Sequence, residues 1–344
     1  MKSLTGGTAI AMSNRILTVL LILLLMAVPV AAPAVEIVPF QIRNQNPLIQ
    51  IFGLPAIGDA RVLPPGKYSA GLSFDMANSY TVSGTATESL LLDGESYRFN
   101  LILRGGLPDG FEAGMELPWL AFGGGTTDGF IEDWHRFFGL PEGGRNLAPN
   151  NRLRYQYARN GLPRLNITDH HAGIGDLMFT AGWQFYGDTK SPQAASLRAA
   201  VKIPTGDSAV LTGSGSTDLS LWIIGRSDHT LSIGHATLYG AAGGMFLSQG
   251  DVLPDLQSHW AAFGTIGAGW SPWEVISFIL QLDANTPFYH GSSFSTLSGS
   301  ALGLLIGGSL ALGERTILEL GVSEDLHVST WPDVTFHMGL THRF

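Results

Sequence analysis

The sequence predicts an all-β chain, a transmembrane antiparallel β-barrel of about twelve strands, and three observations carry that expectation. Segment after segment alternates apolar with polar or small residues, the joins between segments alternate short and long, and the last segment ends on an aromatic carboxy-terminal residue. Alternation with period two gives each strand one apolar and one polar face. Membrane barrels add short turns at one rim, longer loops at the other, and an even strand number when both termini lie on one side. The composition agrees: charged residues make up 14% of the 344 residues, against roughly 25% in a soluble domain. The formal charge of −9 offers no basic field, so no nucleic-acid partner is expected. With no cysteine, a disulfide scaffold, a thiolate metal site, a cysteine nucleophile and an N-terminal lipoprotein anchor are excluded.

Residues 1–34 read as an export signal. Lys2 and Arg15 precede an apolar run from Ile16 to Val30, and Ala32-Pro33-Ala34 offers a small-residue cleavage site. Residues 35–65 come before the first strand and mix Arg43, Asn44, Gln45 and Asn46 with Ile42, Leu48, Ile49, Ile51 and Phe52. That mixture is too apolar for a free tail. It suits a plug inside the barrel, with its amides satisfying lumen groups; a periplasmic cap or partner-binding arm is the alternative.

The barrel is expected over residues 66–344. Tyr68, Ala70, Leu72, Phe74 and Met76 open the pattern, followed by Tyr97 to Leu103, Phe111 to Leu117, Leu177 to Phe185 and Leu197 to Ile203. Further strands are read at 219–226, 230–247, 259–270, 275–285, 299–312, 316–322 and 333–344, twelve in all. Short joins are placed at 106–110, 187–193, 227–229, 271–273 and 313–315. Long ones are placed at 78–95, 120–172, 204–216, 248–257, 286–298 and 323–332. Val334, Phe336, Met338, Leu340 and Phe344 share one face of the last strand, and such a strand resembles the signal read by the barrel assembly machinery of bacterial outer membranes. Aromatics near the strand ends suit a girdle at the lipid headgroups. Outer-membrane lipid is therefore an expected partner, and the bacterial outer membrane the expected location.

The polar face should line the lumen. It carries Asp75, Glu112, Glu116, Asp176, Asp218, Asp283 and Glu319 against Arg98, Arg104, Arg198, Lys202, Arg226 and Arg343. These nearly cancel, whereas a pore selective for one ion sign is ringed by one charge. Two readings follow: opposite charges that pair and fill a narrow barrel, or a channel whose charges orient a small polar or amphipathic solute.

The join at 120–172 is too long for a bare connection. Asp128 can cap a helix that Gly139 and Pro141 stop, with Phe130, Ile131, Trp134, Phe137 and Phe138 as an aromatic stripe and Glu132–Arg136 as an i,i+4 pair. Trp134, His135, Arg136 and Phe138 are the candidate residues of an external lid. The rest of the join, with Arg145, Arg152, Arg154, Arg159 and Arg164, is basic enough to meet anionic headgroups. Two alternatives to a channel or binding barrel stay open: a structural or adhesion barrel without transport, and an outer-membrane lipid hydrolase as the enzymatic reading. His135 and His171 are its histidines, but no Gly-x-Ser-x-Gly elbow accompanies them. No catalytic residue, cofactor or metal site is assigned.

Taken together, Arg43-Asn44-Gln45-Asn46-Pro47, Phe52-Gly53-Leu54-Pro55, the stretch from Phe130 to Pro141, Gly173-Ile174-Gly175-Asp176-Leu177, Lys202-Ile203-Pro204-Thr205-Gly206-Asp207 and Gly215-Ser216-Thr217-Asp218 resemble the outer-membrane family called domain of unknown function 3187. The strand-turn part also resembles outer-membrane transporters grouped with phenol and meta-pathway degradation proteins. The resemblance implies a barrel of unassigned function and supplies no catalytic residues.

Overall fold

The structure, a computed structural model, describes residues 35–125, 129, 149–188, 191–326 and 330–344. Its strands are β1 (Tyr68–Gly84), β2 (Glu88–Gly106), β3 (Phe111–Gly123), β4 (Arg154–Arg159), β5 (Leu162–Ile167), β6 (His171–Ile174), β7 (Leu177–Tyr186) and β8 (Gln193–Ile203). They continue with β9 (Asp218–Thr230), β10 (His235–Leu247), β11 (Trp260–Trp273), β12 (Ile276–Asn285), β13 (Ala301–Ala311), β14 (Thr316–Asp325) and β15 (Val334–Arg343). Neighbours pair antiparallel from β7 to β15, and β15 returns to β1 from Ser69↔Arg343 to Asn78↔Val334. That last ladder closes the ring and leaves no free edge.

The wall has twelve strands because two of the fifteen stand outside it and two others share one place. β6 covers the upper half of β3, from Trp119↔Ile174 to Phe122↔His171, and β7 the lower half, from Phe111↔Trp183 to Glu116↔Met178. The register slips between them at Gly175 and Asp176. Pro118 supplies the reason. Its carbonyl accepts from Gly175 N at 2.8 Å, and in a strand a residue's N–H and C=O point to the same side. The donor that proline lacks therefore falls at the break. The slip aims the Asp176 carboxylate into the barrel.

β4 and β5 form a hairpin built on the outer end of β2. β2 pairs with β3 from Gly106 to Glu95, then with β4 from Asp93 to Glu88. Two expected joins are thereby corrected. Residues 79–84 and 88–94 are strand, not loop, because β1 and β2 continue as a tall hairpin past the wall. The join at 120–172 holds the β4–β5 hairpin, whose alternation is masked by Pro163 and by a bulge between Tyr157 and Ala158. The helix expected around Phe130 to Phe138, with Trp134, His135, Arg136 and Phe138, lies outside the described residues, as does the export signal at residues 1–34. Two short joins also move outward: β9 runs through 227–229 and β11 through 271–273, so their turns fall at 231–234 and 274–275.

The outer face of the wall is apolar and bare. Leu72, Ile266 and Trp260 are 61%, 63% and 71% exposed, and Tyr68, Trp119, Tyr186, Trp270 and Phe344 are exposed near strand ends. The inner face departs from expectation on one side. β1, β2, β3, β8 and β14 turn polar residues inward, but Trp222, Ile224, Tyr239, Met245, Phe263, Ile279 and Leu305 on β9 to β13 are also buried inside. The lumen is thus amphipathic rather than uniformly polar. β9 and β13 are apolar on both faces (Leu221 and Ile223 outside; Leu304 and Ile306 beside Leu305), which blurs the period-two reading there.

Candidate functional site

Residues 35–65 run inside this ring. Val35 N donates to Glu274 O at 2.7 Å in a short turn, and Gly66 N returns to Gly106 O at 3.0 Å in another. Both ends of the segment are therefore tied to the short-turn rim. Between them the chain climbs to a turn at Asn46–Phe52 and descends. Tyr289, in the long loop after β12, donates its hydroxyl to Leu48 O at 3.1 Å, and Phe52 stacks on Phe288 with ring centroids 5.1 Å apart. The tip thus reaches the long-loop rim.

Short polar side chains shape that tip. Asn44 Oδ1 accepts from Asn46 N at 2.9 Å and Asn46 Oδ1 from Leu48 N at 3.0 Å, two consecutive Asx turns. Asn44 Nδ2 also donates to Thr330 O at 2.9 Å and to Asn285 Oδ1 at 3.3 Å. Gln45 Nε2 donates to Arg43 O, and Gln45 O accepts from Ser96. Arg43 forms a 2.5 Å ion pair with Glu116 on β3, both side chains 3% exposed. Gly53 sits where a Cβ would stand 3.0 Å from Lys202 Cβ and 3.1 Å from Asp218 Cβ. A Cβ there would require the wall to give by a few tenths of an ångström, so glycine suits a backbone lying this close to it.

Of the thirteen wall residues expected in the lumen, Arg343 belongs to the rim cluster with Glu36; the other twelve point inward, and eight of them bond the inner segment directly. Arg98 donates to Gln50 O at 3.2 Å, Arg104 to Gln41 Oε1 at 2.7 Å, Arg198 to Asp59 O at 2.9 Å and Lys202 to Ile51 O at 3.3 Å. Arg226 pairs with Asp59 at 2.9 Å. Glu112 accepts from Leu63 N at 2.9 Å, Asp218 accepts from Gly53 N at 2.7 Å, and Glu116 holds Arg43. Three act through one intermediary. Asp176 fixes Lys202 at 2.5 Å; Asp283 accepts from Gln281, whose amide oxygen receives Phe40 N; Asp75 pairs with His337 at 2.6 Å, against which Phe40 sets its ring edge. The twelfth, Glu319, faces a cavity.

A denser ion cluster sits at the short-turn rim. Glu36 of the segment meets Arg343 at 2.7 Å and Arg226 at 3.4 Å, while Arg61 reaches Asp228 at 2.7 Å. Burial would raise the Glu36 carboxyl, but Arg343, Arg226 and Arg61 outweigh it and hold its pKa below the ordinary value. Sequence reading found the wall bases here but not Arg61 and Asp228, whose role depends on where the segment returns.

The long-loop rim is capped by residues the sequence reading did not single out. Leu253, Leu256, Phe288, Phe294 and Leu297 are buried there with Tyr155 and Tyr157 of β4. Glu88 ties the cap together, accepting from Ser292 Oγ at 2.9 Å and from Ser293 N and Oγ at 2.9 and 2.8 Å, and pairing with Arg159 at 3.2 Å. Of the arginines expected to meet headgroups, Arg145 lies outside the described residues, while Arg152 pairs with Asp93, Arg159 with Glu88 and Arg164 with Asp255. The two ring nitrogens of His171 lie against the carbonyls of Asp169 and Val210. Serine–histidine contacts among the described residues, Ser227–His229 and Ser258–His290, are exposed, and neither imidazole holds a carboxylate.

Three comparisons bear on the fold. The profile of the family described as "Protein of unknown function (DUF3187)" matches residues 15–344. No curated protein matches the sequence. Among solved structures, the COG4313 outer membrane channel from Pseudomonas putida F1 is similar at 13% identity and a TM-score of 0.53, covering 83% of this chain and 98% of that one. The KdgM porin in complex with disordered oligogalacturonate aligns at 8% identity and a TM-score of 0.41, over 80% of this chain and 99% of that one. The NanC porin aligns at 7% identity and 0.43, over 80% and 98%.

Proposed function

The chain belongs to the DUF3187 family, and on that premise we propose that it is an outer-membrane channel or binding barrel for a small polar or amphipathic solute, held shut by its own N-terminal segment. The observation that carries this reading is the seam of hydrogen bonds and ion pairs between residues 35–65 and the wall, running from the short-turn rim to the long-loop rim. A bare apolar outer face supports a lipid environment, with short turns toward the periplasm, where the assembly machinery meets the last strand. Passage then requires the plug to shift. Mixed lumen charge argues against selection by ion sign and for recognition of a solute with both polar and apolar parts.

Planar-bilayer conductance tests this reading, comparing the full mature chain with a form lacking residues 36–55. Heat-modifiable electrophoretic mobility would establish that the shortened barrel is folded. Conductance several-fold above that of the full chain is expected. A folded shortened barrel that conducts no more than the full chain would contradict the plug.

A further inference from the structure

Most charges in the lumen meet an opposite charge in direct contact; among the described residues, Glu319 and Arg104 at the short-turn rim make no contact ion pair, although each lies in the other's field. A cavity of about 330 Å³ lies there between the inner segment and strands β1, β2, β14 and β15. Among its acids, Glu36 is paired with Arg343, Asp59 with Arg226 and Glu112 with Arg198. The Glu319 carboxylate also lines it, 3% exposed; among the described residues no hydrogen bond or contact ion pair reaches it, and His337, Arg104 and Arg343 act on it only at a distance. Gly339 gives it room, since a Cβ there would stand 2.8 Å from Oε2. Arg104 enters from β2, gives one N–H to Gln41 and forms no ion pair. A buried carboxylate without donors is costly unless something brought into the cavity supplies them, and a guanidinium has five donors in a fork that fits a carboxylate. Val38, Ile102 and Ile317 add an apolar patch to the lining, with Gln41, Ser69 and Thr341 polar beside it.

We propose that this cavity binds a small zwitterion, its ammonium at Glu319, its carboxylate at Arg104 and a short apolar body against Val38, Ile102 and Ile317. The volume is near the lower end of ligand sites, roughly 300–1,000 Å³, which limits the guest to about the size of an amino acid. The proposal deepens the channel reading by naming a solute class, and it rests on the plug being in place, because Val38 and Gln41 belong to it.

Calorimetric titration of the full mature chain in detergent tests it. The probes are L-leucine and 6-aminohexanoate, zwitterions of short and long charge separation, with hexanoate and hexylamine as singly charged controls. At least one zwitterion should bind tenfold or more tightly than both controls, and Arg104→Gln or Glu319→Gln should each weaken it at least tenfold. Thr341→Phe, which fills the cavity from a position whose cross-strand neighbours are the uncharged Gly71 and Ile317, should abolish binding in a barrel whose mobility shift is normal. Binding of neither zwitterion, binding of a control as tight as that of both zwitterions, or retention of zwitterion binding in Thr341→Phe would overturn the site. None of these results depends on conductance, so the plug and the solute class fail separately.

Discussion

Arg43 and Glu116 illustrate what single residues contribute to the closed barrel. Each is a full charge withdrawn from water, and their mutual contact offsets the desolvation of both. Replacing Arg43 by Met strands the Glu116 carboxylate and should cost about 3–5 kcal/mol, read as a lower thermal midpoint in detergent. Adding Glu116→Leu should recover most of that loss, because an apolar pair leaves no buried charge. Arginine among Asn, Gln and Ile at the start of the chain was legible as a lumen residue; its partner was not, because a contact across a barrel depends on the height at which each element crosses the wall. Glu36 adds a pH dependence of defined sign. Its folded pKa lies below the ordinary carboxylate value, so its contribution is fully present above the ordinary value and is lost as pH falls through the depressed one. The midpoint difference between the native chain and Glu36→Gln should follow that course. A difference that grew on acidification would contradict the Arg343 and Arg226 pairing.

At the scale of elements, the break between β6 and β7 and the hairpin on β2 show where alternation fails as a guide. The strand from Leu177 was legible, but the slip just before it needs Pro118 of β3, more than fifty residues earlier, to be the neighbour of Gly175. The β4–β5 hairpin was hidden inside what looked like a basic loop, since its strands are six residues each and one is bulged. Glu88 joins this hairpin to the loop after β12 by three hydrogen bonds and an ion pair. Glu88→Ala should therefore free that loop while leaving the wall intact. Limited proteolysis of the folded variant should cut within residues 286–300 faster than in the native chain, with an unchanged mobility shift; equal cutting rates would show that the cap stands without Glu88.

For the whole molecule, an interior filled by residues 35–65 of the same chain explains why the lumen can carry so many charges and still be well packed. The wall's polar half bonds the segment's backbone and charges, and its apolar half, β9 to β13, receives Ile37, Ile42, Leu54 and Ile57, while the Phe40 ring lies against Gly321 and His337 of β14 and β15. The twelve strands and the inward set were legible because both follow from period two. The apolar half was not, because strands apolar on both faces carry no such signal. The central claim is that residues 35–65 lie against the inner wall, and a covalent test reaches it most directly. A Cβ on Gly53 stands 3.1 Å from Asp218 Cβ, a few tenths of an ångström inside the roughly 3.5–4.5 Å of a disulfide. In a chain without cysteine, Gly53→Cys with Asp218→Cys would supply the only two thiols. Mild oxidation of isolated outer membranes should link them within one chain and leave neither open to a maleimide reagent. Folded barrels in which both thiols stay free and label would mean that the segment does not occupy the lumen.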